Sequence, residues 1–162
     1  MARIEADRED LFAEARGLKP RWEWQFPGQT SVITAGFRRE GGCSIYWDGD
    51  PVYHFDRLGR LRRAFRDGCL YRSEGQTLAR LRRERAPATT SLLRSELTPD
   101  ELAEFLGAMR DQLQSWLTHF DNHALQELRA TTDSPADVTR FAERLREIIA
   151  HPRLAPRVTP RP

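Results

Sequence analysis

Apolar and polar residues follow two different rhythms along this chain, and the change from one to the other divides it. Between residues 21 and 97 the apolar positions recur every second residue between short turn signals. That is the period of half-buried strands. In Arg21-Trp22-Glu23-Trp24-Gln25-Phe26 the aromatic residues Trp22, Trp24 and Phe26 share one face, and Pro27-Gly28 turns the chain. Ser31–Arg39 and Cys43–Trp47 follow as strands, separated by Glu40-Gly41-Gly42. Asp48-Gly49-Asp50-Pro51 is strong turn chemistry before the strand Val52–Asp56.

Asp56-Arg57-Leu58-Gly59 fits a type I turn closed by a left-handed glycine, and Asp67-Gly68 fits a two-residue type I′ turn. Between them Arg60–Arg66 reads as a strand with Leu61 and Phe65 pointing inward and Arg60, Arg62 and Arg66 outward. Cys69–Arg72 returns. Residues 77–85 carry leucines three apart among good helix formers, so strand and helix compete there; flanking turns favour a strand, answered by Thr89–Leu97.

From Thr98 the period lengthens. Thr98-Pro99-Asp100-Glu101 is a capping box with proline at the first helical position. Leu102, Phe105, Leu106, Met109, Leu113, Trp116, Leu117 and Phe120 then lie on one broad apolar face, predicting a helix over 98–120. A second stripe, Val138, Phe141, Ala142, Leu145, Ile148 and Ile149, predicts a last helix over 134–150, stopped by His151-Pro152. Asp7–Gly17 predicts a short first helix. The fold class is therefore α+β: an antiparallel meander of six to eight strands, its aromatic face covered by the long helix, with the first and last helices at its ends. Residues 1–151 form one domain, and the proline- and arginine-rich stretch 152–162 is expected to be a flexible tail.

Composition narrows the classes of function. At 162 residues, with 39% hydrophobic and 31% charged residues, the chain can bury a core without disulfides or metal. It holds no apolar run of membrane-span or signal-peptide length, and its two cysteines, Cys43 and Cys69, form no ligand cluster. Buried free thiols, no membrane partner and a cytoplasmic location are the expectation. Lys19 is the one lysine among 26 cationic residues, which fits codon bias as well as function, so the arginines inform by placement alone.

No P-loop, Gly-x-Ser-x-Gly or dinucleotide fingerprint occurs, and no cofactor is expected. His54 and Asp56, two apart on one strand face with Asp48 and Asp50 nearby, are the one candidate for a metal or acid/base site. Turn formation explains these aspartates equally well. His119 and His123 stand four apart at a helix end, where the dipole alone favours histidine. Trp22, Trp24 and Phe26 could stack bases, but a one-sided aromatic strand beneath an apolar helix is better read as core.

Charge placement remains. From Arg57 to Arg85 ten arginines face three acids, whereas residues 96–127 carry seven acids and a single arginine. The leading expectation is a non-enzymatic binding module contacting nucleic acid or an acidic protein through an arginine-rich sheet face. Its site would comprise Arg60, Arg62, Arg66, Arg80, Arg82, Arg83 and Arg85. The alternatives are an enzyme built on His54 and Asp56, and a subunit of a complex or homodimer with a structural role.

Overall fold

The computed structural model describes residues 17–25, 28, 30, 32–47, 51–83, 92–119 and 135–157. Within them eight strands follow one another as β1 (Arg21–Gln25), β2 (Val32–Phe37), β3 (Cys43–Trp47), β4 (Val52–Phe55), β5 (Leu61–Arg66), β6 (Cys69–Ser73), β7 (Leu78–Arg83) and β8 (Leu92–Glu96). They form one antiparallel sheet in sequence order. Two helices follow, α1 (Pro99–His119) and α2 (Pro135–Ala150). The architecture is thus an α+β meander. The helix expected over residues 7–17 falls, but for Gly17, outside the described residues.

Turn chemistry sets the hairpins. Asp67 and Gly68 both adopt positive φ, 53° and 76°, as a type I′ turn requires. At the β4–β5 turn Gly59 takes φ 79° while Asp56 Oδ1 accepts from the Leu58 and Arg60 amides at 2.9 Å each. Residues 78–83 are strand, so pairing with β6 and β8 prevails over the local helical spacing.

One face of the sheet lies under both helices. Trp22, Ile33, Phe37, Ile45, Tyr53 and Phe55 from the sheet join Phe105, Met109, Leu113 and Trp116 of α1 in one buried cluster, together with Phe141, Leu145 and Ile148 of α2. Each large side chain so buried contributes about 1.5–3 kcal/mol. Phe141 packs edge-on against both Trp22 and Phe37 at 5.5 Å, so α2 packs on β1 and β2. The start of α1 is fixed by its capping box: Thr98 N–H donates to Glu101 Oε1 at 3.0 Å, and Glu101 N–H donates to Thr98 Oγ1 at 3.2 Å.

The opposite face carries a smaller cluster of Leu18, Tyr46, Val52, Phe65, Leu70 and Leu81. Phe65 therefore does not share a face with Leu61, as strict alternation had implied. The cause is a β-bulge: Phe55 pairs with Leu61 but His54 pairs with Arg63, leaving Arg62 as the extra residue. Every side chain beyond the bulge changes face.

Residues 153–155, within the stretch read as a tail, are bonded to the sheet. Leu61 N–H donates to Arg153 O at 2.8 Å and Ala155 N–H donates to Leu61 O at 2.9 Å, making a parallel bridge between Leu61 and Leu154. Ser73 Oγ also donates to Ala155 O, and Ala155 is buried. The β5–β6 ladder runs only from Arg66–Cys69 to Arg63–Arg72, so this strap takes the place beside Leu61 that β6 leaves. Leu154 and Ala155 supply the apolar contacts that the prolines around them concealed in the composition.

Candidate anion-binding cleft

The bulge and the strap together shape the polar side of the molecule. Arg62 and Arg63 from β5 and Arg72 from β6 form one wall of a cleft of about 530 Å³, and Ala155, Pro156 and Arg157 of the strap form another. A second cleft of about 380 Å³ adjoins it across Arg62, Ala155 and Pro156 and is lined by Arg38, Arg57 and Arg60. With Arg94, eight arginines among the described residues line the two clefts, beside the described carboxylates Glu40, Asp56 and Glu74.

Each carboxylate is engaged by an arginine of its own. Glu40 pairs with Arg38, and Glu74 with Arg94. Asp56 Oδ2 accepts from Arg60 Nε at 2.8 Å while Oδ1 holds the turn. Burial works to raise the Asp56 carboxyl, but the hydrogen bonds from Arg60 and Leu58 outweigh it and hold the group below its usual range. The same balance, with Arg38 as the donor, holds Glu40 low. Arg57, Arg62 and Arg157 make no ion pair among the described residues.

Arg38 is the buried member of the set, 8% exposed. Its Nη1 donates to Cys43 O at 3.0 Å and to Ser44 Oγ at 2.8 Å, and Nη2 donates to Phe55 O. This is a fixed positive charge at the wall of the second cleft, satisfied as a buried guanidinium must be. Gly42 makes room for it: a Cβ there would stand 2.0 Å from Arg38 Nη2.

His54, 3% exposed, lies in the same layer, across from Ser44 on β3 and Arg63 on β5. Burial, and then the charges of Arg38, Arg63 and Arg62, push its pKa down to about 2. The imidazole is neutral at physiological pH. Asp56 is committed to its turn and to Arg60, and His54 stands among three guanidinium groups, so neither offers a divalent cation a favourable place. Among the described residues no three of His, Cys, Asp and Glu come together as metal ligands. Asp48, Asp50 and His123 lie outside the described residues.

The arginines singled out from sequence are divided by the fold. Arg60 and Arg62 line the clefts. Arg66 falls on the helix side, with its guanidinium 5.7 Å from the Phe105 ring centre, because the bulge reverses its face. Arg80 is also on that side, 5.8 Å from the Tyr71 ring centre and 3.0 Å from Glu101 Oε2. Arg82 is exposed beside Leu93, Arg83 ends β7, and Arg85 lies outside the described residues. Arg38, Arg57, Arg63, Arg72, Arg94 and Arg157 join the site unforeseen. One signal for the rearrangement was present: the doublets Arg62-Arg63 and Ala64-Phe65 break the period of two.

Cys43 and Cys69 are free and buried, and burial raises the Cys43 thiol to about 12, far from a reactive thiolate. No helix among the described residues is long and apolar enough to cross a membrane. No protein-family model matches this chain, and no curated protein or solved structure matches it either.

Proposed function

We propose that this protein is a non-enzymatic binding module that takes a polyanion, a nucleic acid before an acidic protein, along the paired arginine clefts. The observation that carries the reading is the excess, among the described residues, of eight arginines over three carboxylates around two adjoining clefts. Side chains from β5, β6 and the strap converge there, whereas a merely solvated charged face would splay them outward. The arginine set is Arg38, Arg57, Arg60, Arg62, Arg63, Arg72, Arg94 and Arg157. Of these, Arg57, Arg62 and Arg157 are the groups best placed to touch a ligand, since Arg38, Arg60 and Arg94 are paired internally. A cytoplasmic setting accords with two free, buried cysteines.

The test is titration of the full chain with fluorescent single-stranded and duplex nucleic acid pools and with polyglutamate, at about 50 and 200 mM salt. Phosphate contacts release counterions, so affinity for nucleic acid should fall steeply between these two conditions. Binding that ignores salt, or the absence of binding to every polyanion, would remove the proposal.

A further inference from the structure

We infer that two copies of this chain join edge to edge through β8, antiparallel, about a two-fold axis at Ser95. The contact goes beyond the binding reading above and does not depend on it.

The strand itself supplies the surface. Among the described residues β8 ends the sheet, paired with β7 alone. Leu93, Arg94, Ser95 and Glu96 are exposed one after another, so the strand is open on both faces, and Leu93 is an apolar side chain left 41% exposed. An edge strand carries a row of backbone donors and acceptors that a second strand can pair. Their direction follows from Leu97, whose N–H donates to Leu78 O at 3.0 Å and whose carbonyl accepts from Thr77 Oγ1 at 3.0 Å. The backbone of Leu97 thus turns toward β7. Alternation along the strand turns Leu93 and Ser95 the same way and points the amides and carbonyls of Arg94 and Glu96 outward.

Side-chain charge then selects the register. Arg94 and Glu96 share one face and form an ion pair along the strand at 3.6 Å. An axis through Arg94 or through Glu96 would set that residue opposite its own copy, like charge against like. An axis through Ser95 sets Arg94 opposite the partner's Glu96 and Glu96 opposite the partner's Arg94, where opposite charges favour pairing. The outward backbone groups of the same two residues meet there as hydrogen-bonded pairs. The four side chains alternate in sign, with Glu74 on the outer side of each Arg94. On the other face of the sheet the exposed Leu93 comes beside the partner's Leu97, at the margin of the core. Such a contact is isologous and closes at two copies. Its axis stands normal to the sheet and Arg94 lines the larger cleft, so the two larger clefts open on the same side of the joined sheet.

The experiment is sedimentation equilibrium of the full chain over about 1–200 μM protomer, because a dimer's population depends on concentration. It is repeated with Arg94→Glu, with Glu96→Arg, with the double variant carrying both, and with an equimolar mixture of the two single variants. The wild type should pass from monomer to dimer and no further. Each single variant sets like charges across the axis twice and should dimerise at least about tenfold more weakly. The double variant exchanges the signs and should recover. The mixture should recover too, since every facing pair between the two single variants is again of opposite sign. A wild type that stays monomeric, or that grows past two copies, overturns the inference. So does a single variant that dimerises as the wild type does, or a mixture of folded single variants without recovery. Where a single variant does not fold, the double variant decides alone: recovery upholds the axis at Ser95 and weak pairing overturns it. The measurement reads mass, so the presence or loss of anion binding does not enter the result.

Discussion

His54 Nδ1 lies 3.2 Å from Arg63 Nη2, and because a guanidinium can only donate, the imidazole accepts there and is neutral. The pair thus joins a buried histidine to a cleft arginine. Protonating His54 would cost this hydrogen bond and place a further cation among Arg38, Arg62 and Arg63.

The pH dependence of stability follows. The folded pKa, pushed down to about 2, lies below the value of about 6.5 expected in the unfolded chain, so below pH 6.5 only the unfolded state takes up this proton. The contribution of a neutral His54 is complete above that pH and erodes as pH falls toward the folded value, by roughly 1 kcal/mol per unit. Urea denaturation at pH 7, 6 and 5 should show this slope in the wild type and its loss in His54→Gln. An unchanged slope in the variant would place the proton uptake elsewhere.

Gly42→Ala should act through Arg38. The added methyl would overlap the Arg38 guanidinium and come within 2.6 Å of Phe55 O, both parts of a buried arrangement with nowhere to retreat. A loss of about 2–4 kcal/mol is expected, of the size produced by disrupting a buried charge. Gly68→Ala, where a Cβ meets nothing within 4 Å but φ is 76°, should cost only about 1 kcal/mol in the same denaturation assay.

The two faces of the sheet should separate stability from binding. Arg80→Ala removes the Glu101 ion pair and the contact over Tyr71, and should lower stability by up to about 1 kcal/mol without changing anion affinity. Arg62→Ala should do the reverse. Equal effects of both substitutions on affinity would contradict the face assignment made by the bulge.

Ser73→Ala tests the strap. It leaves Ala155 O without its buried donor, costing about 1–2 kcal/mol, and it loosens the wall that presents Arg157. Anion affinity should fall although Ser73 need not touch the ligand. Unaltered affinity in a folded variant would mean that the strap does not position Arg157.

Much of the fold was legible because its cues are local. The period of two located the strands, glycine and aspartate located the turns, and Thr98 with Glu101 located the start of α1. The site was less so, because its two determinants are nonlocal. A bulge shifts one residue and thereby moves Phe65 and Arg66 to faces opposite those that alternation assigns. The strap is visible only through its partners Leu61 and Ser73, which are distant in sequence. Counting arginines therefore led to β5, while the grouping of Arg63, Arg72 and Arg157 around one cleft required the register and the strap.

The strap also bears on the order in which this molecule becomes itself. Ser73 and Ala155 are 82 residues apart, and the wall they complete belongs to the last described stretch of chain to leave the ribosome. The meander can pair strand by strand through neighbouring hairpins, but the cleft closes only when that final loop is drawn across the sheet, the slow kind of contact in folding. Capture of an anion would then report that residues 153–157 have docked, and a chain clipped before them would carry the sheet without the grip.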